Sequence, residues 1–371
     1  MDNLIQRLLD LVIQIQQIPA PTFEEQKRAE FILGMFRQEG LSDVQLDSAG
    51  NAFARLPGGN PDSRSAERSR RSPLIVSAHL DTVFPLQTDL AIRREHGRLY
   101  GPGIGDNSLG VAGLFGLLWS LREQNITLPG DLWLVANTCE EGLGDLRGMK
   151  SVVECFGNKP KAYLVLEGMA LGHVYHKAIG VRRYKITARA EGGHSWTDYG
   201  RPSAIHALAE LVTQITSLSL PENPRTTLNV GKIGGGTSIN TIAAEAWMEL
   251  DTRSEGSDAL AELDRQVESL IETAGGPRVD FQVEIIGQRP VGEIETSHPI
   301  IQLAQACLRQ QGFDPILTGG STDANIPLSL GLPALVLGLT QGGGAHTIHE
   351  YIETAPIHKG LAQLVNFVKQ V

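Results

Sequence analysis

The stretch Ser77-Ala78-His79-Leu80-Asp81-Thr82-Val83 decides the fold that we predict for this chain. It follows Pro73-Leu74-Ile75-Val76, an apolar run with β-branched residues and no helical period, which predicts a buried strand. Side chains at i and i+2 of an extended chain share a face, so we expect His79 and Asp81 to point to one place. A carboxylate beside a histidine is typical of a metal ligand, because it fixes the imidazole tautomer. This stretch alone also fits a histidine that is merely satisfied near a strand end.

Acidic side chains also follow the next two predicted core strands. Strand Leu132–Asn137 leads to Glu140-Glu141, and strand Ala162–Leu166 leads to Glu167. Ligands bind at the carboxyl edge of the strands in open α/β sheets. Adjacent carboxylates at such an edge repel each other and are costly unless cations bind there. The repetition therefore favours a metal site.

Two glycine-rich turns supply further candidates. The turn Tyr100–Ser108 precedes an apolar helix but has neither the dinucleotide-binding spacing nor a P-loop lysine, so we set nucleotide binding aside. Its glycines instead allow a tight bend that brings Asp106 into a crowded site. The second turn, Gly342-Gly343-Gly344, leads to His346.

The bulk composition limits the class of protein. The chain has 371 residues, which favours two domains, and its net charge of −10 argues against nucleic acid or an anionic membrane as a partner. Three widely spaced cysteines predict no disulfide framework and a reducing compartment. The N-terminus predicts neither a signal peptide nor a membrane span, so we expect a cytoplasmic protein. The loop 58–73 contains four arginines and is predicted to be a solvated surface loop.

The pattern of elements changes at residue 181. Residues 181–288 have a βαββαβ order, which predicts an inserted ferredoxin-like α+β domain. Residues 1–180 and 289–371 are expected to form the second domain, which is α/β. In its C-terminal part we predict a helix at 298–312, a glycine-rich turn at Thr318–Asp323 and a strand at Ala334–Gly338.

Together these motifs resemble the M20 family of dinuclear zinc peptidases and deacylases. The matching segments occur in the family's order and cover nearly the whole chain: His79-Leu80-Asp81-Thr82-Val83, Gly101–Asp106, Glu140-Glu141, Glu167, Gly193-His194, and His346 with Glu350-Tyr351. The resemblance implies an α/β zinc-exopeptidase-like catalytic domain with a central mixed sheet. It also implies that the inserted domain is a lid that dimerises, so that the protein is a homodimer.

The resemblance implies two Zn²⁺ per subunit, with Co²⁺ or Mn²⁺ as possible substitutes. His79 and Glu167 would bind one ion, Glu141 and His346 the other, and Asp106 would bridge them. We prefer His346 to the neighbouring His349 because it stands four residues before Glu350-Tyr351, as in the family motif.

Further roles follow from the same resemblance. Glu140 would be the general base, Asp81 would orient His79, and His194 would stabilise the oxyanion, in its own subunit or in a partner. Asn240 and Arg253 match family positions that hold the substrate, and a surface strand arginine is the equally supported alternative for Arg253. Gly320, Ser321 and Thr322 are expected to line the substrate carboxylate with main-chain and hydroxyl donors.

The implied function is hydrolysis of an amide bond in a small peptide. Two departures from the family pattern bear on the substrate: Ser108 replaces a frequent lysine, and Glu167 stands where many peptidases have aspartate. Glutamate there is typical of carboxypeptidases, acylases and deacylases, whereas the C-terminal stretch looks like that of tripeptidases. Deacylation of an N-acyl amino acid is therefore the alternative, followed by a non-catalytic metal-dependent binding protein.

Overall fold

The computed structural model describes residues 2–59 and 72–371. All four arginines of the predicted surface loop lie outside the described residues. The chain divides into two compact units, Met1–Ala178 with Gly292–Val371, and Ile179–Val291. We call them the discontinuous unit and the inserted unit.

The discontinuous unit is built on a nine-stranded mixed sheet. Its strands run in the order β1-β2-β6-β3-β7-β17-β8-β15, and β16 pairs with β8. Strands β6, β3, β7 and β17 are parallel neighbours, so their carboxyl ends share one edge. The sheet strands are β1 (Ser42–Leu46), β2 (Ala52–Leu56), β3 (Leu74–His79), β6 (Leu132–Asn137), β7 (Ala162–Glu167), β8 (His173–Ala178), β15 (Gly292–Glu293), β16 (Ile316–Gly320) and β17 (Ala334–Gly338).

Helices cover both faces of this sheet, which is why its parallel strands are apolar along their whole length. The larger core forms against α1, α2, α3, α7 and α9, and the smaller one against α4 and α8. Helix α3 is buried from Leu109 to Leu121, as expected of a helix that is apolar on all sides. The helices are α1 (Asp2–Gln16), α2 (Gln26–Gln38), α3 (Leu109–Glu123), α4 (Arg147–Phe156), α7 (Pro299–Gln310), α8 (Asn325–Ser329) and α9 (Ile357–Val368).

A small four-stranded sheet lies at the ends of the two glycine-rich turns. Its order is β18-β19-β5-β4, with β4 (Arg93–Glu95), β5 (Arg98–Tyr100), β18 (Gly342–Gly343) and β19 (Tyr351–Glu353). Strand β19 pairs with β5, so the segment that carries His346 is joined to the one that carries Asp106.

The inserted unit is a four-stranded antiparallel sheet of order β11-β13-β9-β14 with two helices packed on one face. Strand β13 alternates strictly in burial, and Ala246, Met248 and Leu250 point into the core. A short pair, β10 with β12, lies outside the sheet. The elements are β9 (Gly180–Ala190), β10 (Gly193–His194), α5 (Ala204–Thr216), β11 (Thr226–Gly235), β12 (Thr241–Ile242), β13 (Glu245–Ser254), α6 (Ser257–Ala274) and β14 (Val279–Arg289).

The structure confirms the predicted α/β fold with a central mixed sheet and an inserted α+β unit. The glycine-rich turn predicted at Thr318–Asp323 is partly wrong. Thr318, Gly319 and Gly320 belong to β16, because β8 offers them a parallel partner strand. The three cysteines are free. Within the described residues, no helix combines the length and the apolar character that crossing a membrane requires.

Candidate metal centre

Histidine and carboxylate side chains meet at the carboxyl edge of the parallel strands. His79 is the last residue of β3 and Glu167 the last of β7, while Glu140 and Glu141 follow the end of β6. The two glycine-rich turns add Asp106 and His346 to the same place. The fold thereby brings together all five residues that the sequence predicts as metal ligands.

The described residues contain two groups with the spacing of metal ligands, and Asp106 belongs to both. His79, Asp106 and Glu167 form one group, and Asp106, Glu141 and His346 form the other, each with ligand atoms within 4.8 Å of one another. Asp106 Oδ1 lies 3.1 Å from His79 Nε2, and its Oδ2 lies 3.1 Å from His346 Nε2. His79 Nε2 is also 3.8 Å from Glu167 Oε2, and His346 Nε2 is 3.2 Å from Glu141 Oε1.

The hydrogen bonds of His79 show which kind of ion the two groups fit. Its Nδ1 lies 3.1 Å from the carbonyl oxygen of Asp81, which can only accept, so Nδ1 carries the proton. In the neutral ring the Nε2 lone pair then faces the oxygens of Asp106 and Glu167, an arrangement that requires a positive charge between them. Glu141 Oε1 is buried and lies 3.2 Å from His346 Nε2, without a hydrogen bond of normal geometry. Imidazole nitrogen with carboxylate oxygen is a donor set that suits Zn²⁺, so the residues fit two divalent cations.

The pKa values reflect the same concentration of charge. Burial would raise the pKa of Asp106, but the facing imidazoles of His346 and His79 hold it well below its ordinary value. Asp106 and Glu141 raise the pKa of His346 to about 10. Burial raises the pKa of Glu167, and the charges of Asp106 and Glu141 add to this. The cluster therefore holds positive charge strongly.

Asp81 contacts more than the histidine it was predicted to orient. Its carboxylate lies 3.5 Å from His79 Nδ1, farther than its own carbonyl oxygen. The carboxylate instead accepts the main-chain N–H groups of Glu140 at 3.0 Å and Glu141 at 2.8 Å. Thr22 donates its hydroxyl to the same carboxylate at 2.9 Å. Asp81 thus fixes the turn that carries Glu140 and Glu141.

Glu350 holds the turn that carries Asp106, a role that the sequence analysis did not predict. Its carboxylate is fully buried and accepts the N–H groups of Gly103 at 3.0 Å, Gly105 at 2.7 Å and Asp106 at 2.8 Å. Burial raises the pKa of Glu350 to about 7. Because Glu350 follows His346 by four residues, it connects two ligand segments.

Asn107 is a second residue that the sequence analysis missed. Its Oδ1 accepts the N–H groups of Gly110 at 3.1 Å and Gly168 at 3.0 Å, and its Nδ2 donates to the carbonyl of Leu166 at 2.8 Å. The side chain therefore links the start of α3 to the end of β7. An asparagine shortly before an apolar helix is a capping pattern, and this was the available signal.

In the inserted unit, the structure brings His194 and Asn240 together. The carbonyl oxygen of Asn240 accepts the N–H of Ser195 at 3.0 Å, beside the β10–β12 pair. His194 Nδ1 accepts the N–H groups of Trp196 at 3.1 Å and Thr197 at 3.4 Å. The neutral ring therefore carries its proton on Nε2 and can donate it outwards.

Arg253 lies on β13 of the inserted unit, and its guanidinium is engaged within that unit. Its Nε is 2.7 Å from Asp251 Oδ2, and Asp251 Oδ1 also accepts from Arg183 at 2.9 Å. The structure therefore places Arg253 in a small ion-pair network on the exposed side of the sheet.

The three remaining predicted substrate residues lie where β16 leads to α8. Gly320 packs against the ring of Tyr175, and a side chain there would come within 2.7 Å of that ring. Ser321 and Thr322 follow and are half-buried. The main-chain N–H of Thr322 donates to Asn325 at 2.8 Å, so this donor is already used within the unit.

Known proteins resemble this chain along nearly its whole length. It is 27% identical over 367 residues to a succinyl-diaminopimelate desuccinylase of Corynebacterium glutamicum, covering 96% of this chain and 92% of that protein. It is 29% identical to an acetylornithine deacetylase of Erwinia tasmaniensis, covering 79% of each chain. A tripeptidase structure from Staphylococcus aureus superposes with a TM-score of 0.79 at 23% identity, covering 99% of this chain and 98% of that one.

The profile of Peptidase family M20/M25/M40 matches residues 75–370, well over half of the chain. This segment contains both groups of candidate metal ligands and the whole inserted unit. The protein is therefore a member of the M20/M25/M40 family of hydrolases, as the motifs in the sequence predicted.

Proposed function

We propose that this protein hydrolyses an amide bond in a small peptide, with two zinc ions as cofactors and Glu140 as general base. The observation that carries the proposal is the placement of Asp106, whose two carboxylate oxygens each face a different histidine at 3.1 Å. Such a shared carboxylate suits a pair of cations. The same edge of the sheet carries Glu140, a buried carboxylate outside both ligand groups.

One ion would be held by His79, Asp106 and Glu167, and the other by Asp106, Glu141 and His346. When bound, zinc supplies a Lewis acid that polarises a carbonyl group and makes water more acidic, and Co²⁺ or Mn²⁺ can supply the same chemistry. The protein's own residues orient the ligands. Asp81 fixes the tautomer of His79 through its carbonyl oxygen, and Glu350 fixes the main chain at Asp106.

Glu140 takes a proton from the attacking water and passes it to the leaving amine. Its neighbour Glu141 is not suited to this role because its carboxylate belongs to a ligand group. The N–H of Glu140 is bound to Asp81, which fixes the main chain from which the basic side chain projects.

His194 would stabilise the oxyanion by donating from Nε2, in its own subunit or in a partner. The two N–H groups bound to Nδ1 support this role, because they keep the proton on Nε2. Asn240, on the neighbouring segment, would bind the substrate close to it. Arg253, Gly320, Ser321 and Thr322 complete the proposed substrate contacts.

Deacylation of an N-acyl amino acid is the second candidate, and a specific observation favours it. The desuccinylase and the deacetylase, at 27% and 29% identity, both act on N-acylated amino acids by their names. The chemistry at the scissile amide is the same for both candidates. A non-catalytic binding protein is disfavoured because it has no use for Glu140.

We also propose that the inserted unit is a lid that joins two copies of this chain. Its segments 193–199 and 233–242, linked by the β10–β12 pair, expose four large apolar side chains. We call them the apolar patch: Trp196, Tyr199, Ile233 and Ile239, which are 85%, 91%, 60% and 104% exposed. Strand β11, which contains Ile233, is also an edge of the sheet and can pair with a second copy.

A substrate panel tests the proposed function. After chelation, the protein is reloaded with Zn²⁺, Co²⁺ or Mn²⁺ and offered di- and tripeptides beside N-acetyl and N-succinyl amino acids. We expect metal-dependent release of an amino acid from free peptides. Cleavage of the acylated compounds alone would select the deacylase, and no turnover with two metals bound would favour a binding protein.

Glu140→Gln should lower kcat by about 10²–10⁴-fold, because a general base contributes that much. Both metals should remain bound, since Glu140 is in neither ligand group. Steady-state kinetics and elemental analysis check this, with the exposed Glu154→Gln as the control. Near-normal kcat in the metal-loaded variant would contradict the mechanism.

Glu350→Gln should weaken metal binding by about 10–100-fold, because loss of a residue that orients metal ligands typically has an effect of this size. The amide nitrogen cannot accept, so at least one of three buried N–H groups loses its acceptor, at a cost of about 1–3 kcal/mol. Chelator competition and denaturant unfolding measure the two effects. Glu353→Gln, which removes a partly exposed ion pair with Arg98, should change neither. Unaltered metal affinity in Glu350→Gln would rule out the role given to Glu350.

Ile239→Asp should shift the protein from dimer to monomer, because it places a charge in the apolar patch. Light scattering across a concentration series measures the mass. The control is Val283→Asp on β14, the opposite edge of the sheet, where the side chain is 45% exposed. A wild-type protein that is monomeric at assay concentrations would refute the dimer and the action of His194 in a partner.

A further inference from the structure

Arg28 is a charged side chain that the proposed mechanism does not use, although it is only 2% exposed. Its Nε and Nη2 donate to the carbonyl of Ile18 at 3.0 and 2.6 Å, and its Nη1 donates to the carbonyl of Leu80 at 2.6 Å. Burial lowers its pKa to about 10, while the charges of Asp81 and Glu25 act in the opposite direction. A guanidinium buried in this way requires negative charge nearby, and these two carboxylates supply it.

Glu25 is the second buried charge in this segment, at 4% exposure. It stands directly before α2, and its Oε1 accepts the N–H of Cys139 at 3.0 Å. Burial, together with the charge of Asp81, raises the pKa of Glu25. Burying a second carboxylate beside Asp81 costs free energy that the hydrogen bond to the N–H of Cys139 offsets in part.

Three consecutive main-chain N–H groups, those of Cys139, Glu140 and Glu141, donate hydrogen bonds to buried carboxylates. The first donates to Glu25, and the next two donate to Asp81 at 3.0 and 2.8 Å. Cys139 also has a left-handed backbone, with φ of 58°, which a residue with a side chain adopts only at a cost. Two carboxylates from separate parts of the chain therefore hold this turn in an unfavourable conformation.

Further hydrogen bonds join the segment before α2 to the residues that follow β3. Thr82 donates its N–H to the carbonyl of Ala20 at 2.9 Å, and Thr22 donates its hydroxyl to Asp81. Residues 18–28 are thus hydrogen-bonded to the residues directly after the strand end at His79. They lie outside residues 75–370, which the family profile matches.

We infer that Glu25 is a positioning residue that fixes the turn carrying Glu140 and Glu141, in a segment that Arg28 ties to Leu80. This inference rests on the proposed function only in treating Glu140 as the base. The effect on the turn itself follows from the hydrogen bond to Cys139 whatever the substrate is.

The test compares Glu25→Ala with Glu24→Ala, its exposed neighbour, in the metal-loaded protein. Amide hydrogen exchange at residues 139–141 should be about 10–100-fold faster in Glu25→Ala, the effect of losing a hydrogen bond to a charged group. With a cleavable substrate, kcat should fall by about the same factor, with KM within about threefold. Glu24→Ala should match the wild type in both measurements.

Glu25→Gln separates the hydrogen bond from the charge, because its amide oxygen still accepts from Cys139. It should recover most of the protection and most of kcat. Arg28→Met, which removes the hydrogen bonds to the carbonyls of Ile18 and Leu80, should reproduce the faster exchange. Lys27→Met, at an exposed neighbouring position, should not. These readouts distinguish positioning from general stabilisation, because loss of general stabilisation would speed exchange throughout the core, whereas loss of positioning speeds it at residues 139–141.

Unchanged exchange at residues 139–141 in Glu25→Ala would overturn the inference, even if the enzyme hydrolyses amides as proposed. If the wild type cleaves no substrate while Glu25→Ala exchanges faster at these residues, the proposed function fails and the positioning of the turn stands. Faster exchange at residues 139–141 with unchanged kcat would show that ordering the turn has no effect on Glu140 as the base. That outcome would also refute the inference.

Discussion

The rest of the structure depends on burying several carboxylates at one edge of a sheet without unfolding it. Like charges in a poorly solvated place repel each other, and each loses hydration. Two kinds of partner group offset this cost. Asp106, Glu141 and Glu167 face imidazole nitrogens, which leaves a positive charge to be supplied between them. Asp81 and Glu350 instead accept main-chain N–H groups, which neutralise them in part and order the chain.

This division explains why the site is assembled from distant segments. A carboxylate that binds two or three N–H groups fixes the course of a loop, and the loop then places a candidate ligand whose carboxylate faces imidazole nitrogens. Glu350 does this for Asp106, and Asp81 does it for Glu141. The ligands themselves can then be arranged for a cation rather than for each other. Loops held in this way retain their geometry although they lie at the ends of strands, where the chain is otherwise free to vary.

The sequence predicted the candidate metal ligands because each stands next to a pattern that can be recognised locally. His79 and Glu167 end apolar strands, and Asp106 and His346 follow glycine-rich turns. The roles of Glu350 and Glu25 carry no such pattern, since the main-chain groups that these two carboxylates bind are distant in the chain. Glu350 binds N–H groups 244 to 247 residues away, and Glu25 binds one 114 residues away. The strand at Thr318–Gly320 was missed for the same reason: its glycines favour a turn, and only the pairing with β8 overrides them.

Under the proposed function, the metal centre would have the same task for a peptide and for an N-acyl amino acid, because both present an amide carbonyl and a leaving amine. Discrimination between a peptide and an N-acyl amino acid must then come from groups that contact the two ends of the substrate. Free hydrogen-bonding capacity is scarce among the candidates: the N–H of Thr322 is bound to Asn325, and the guanidinium of Arg253 is paired with Asp251. An arginine already paired with a carboxylate binds a second one less strongly, since the two compete for its donors. Substrate choice would therefore depend on how far a ligand can displace these internal partners, a property of the proposed substrate residues and not of the candidate metal ligands.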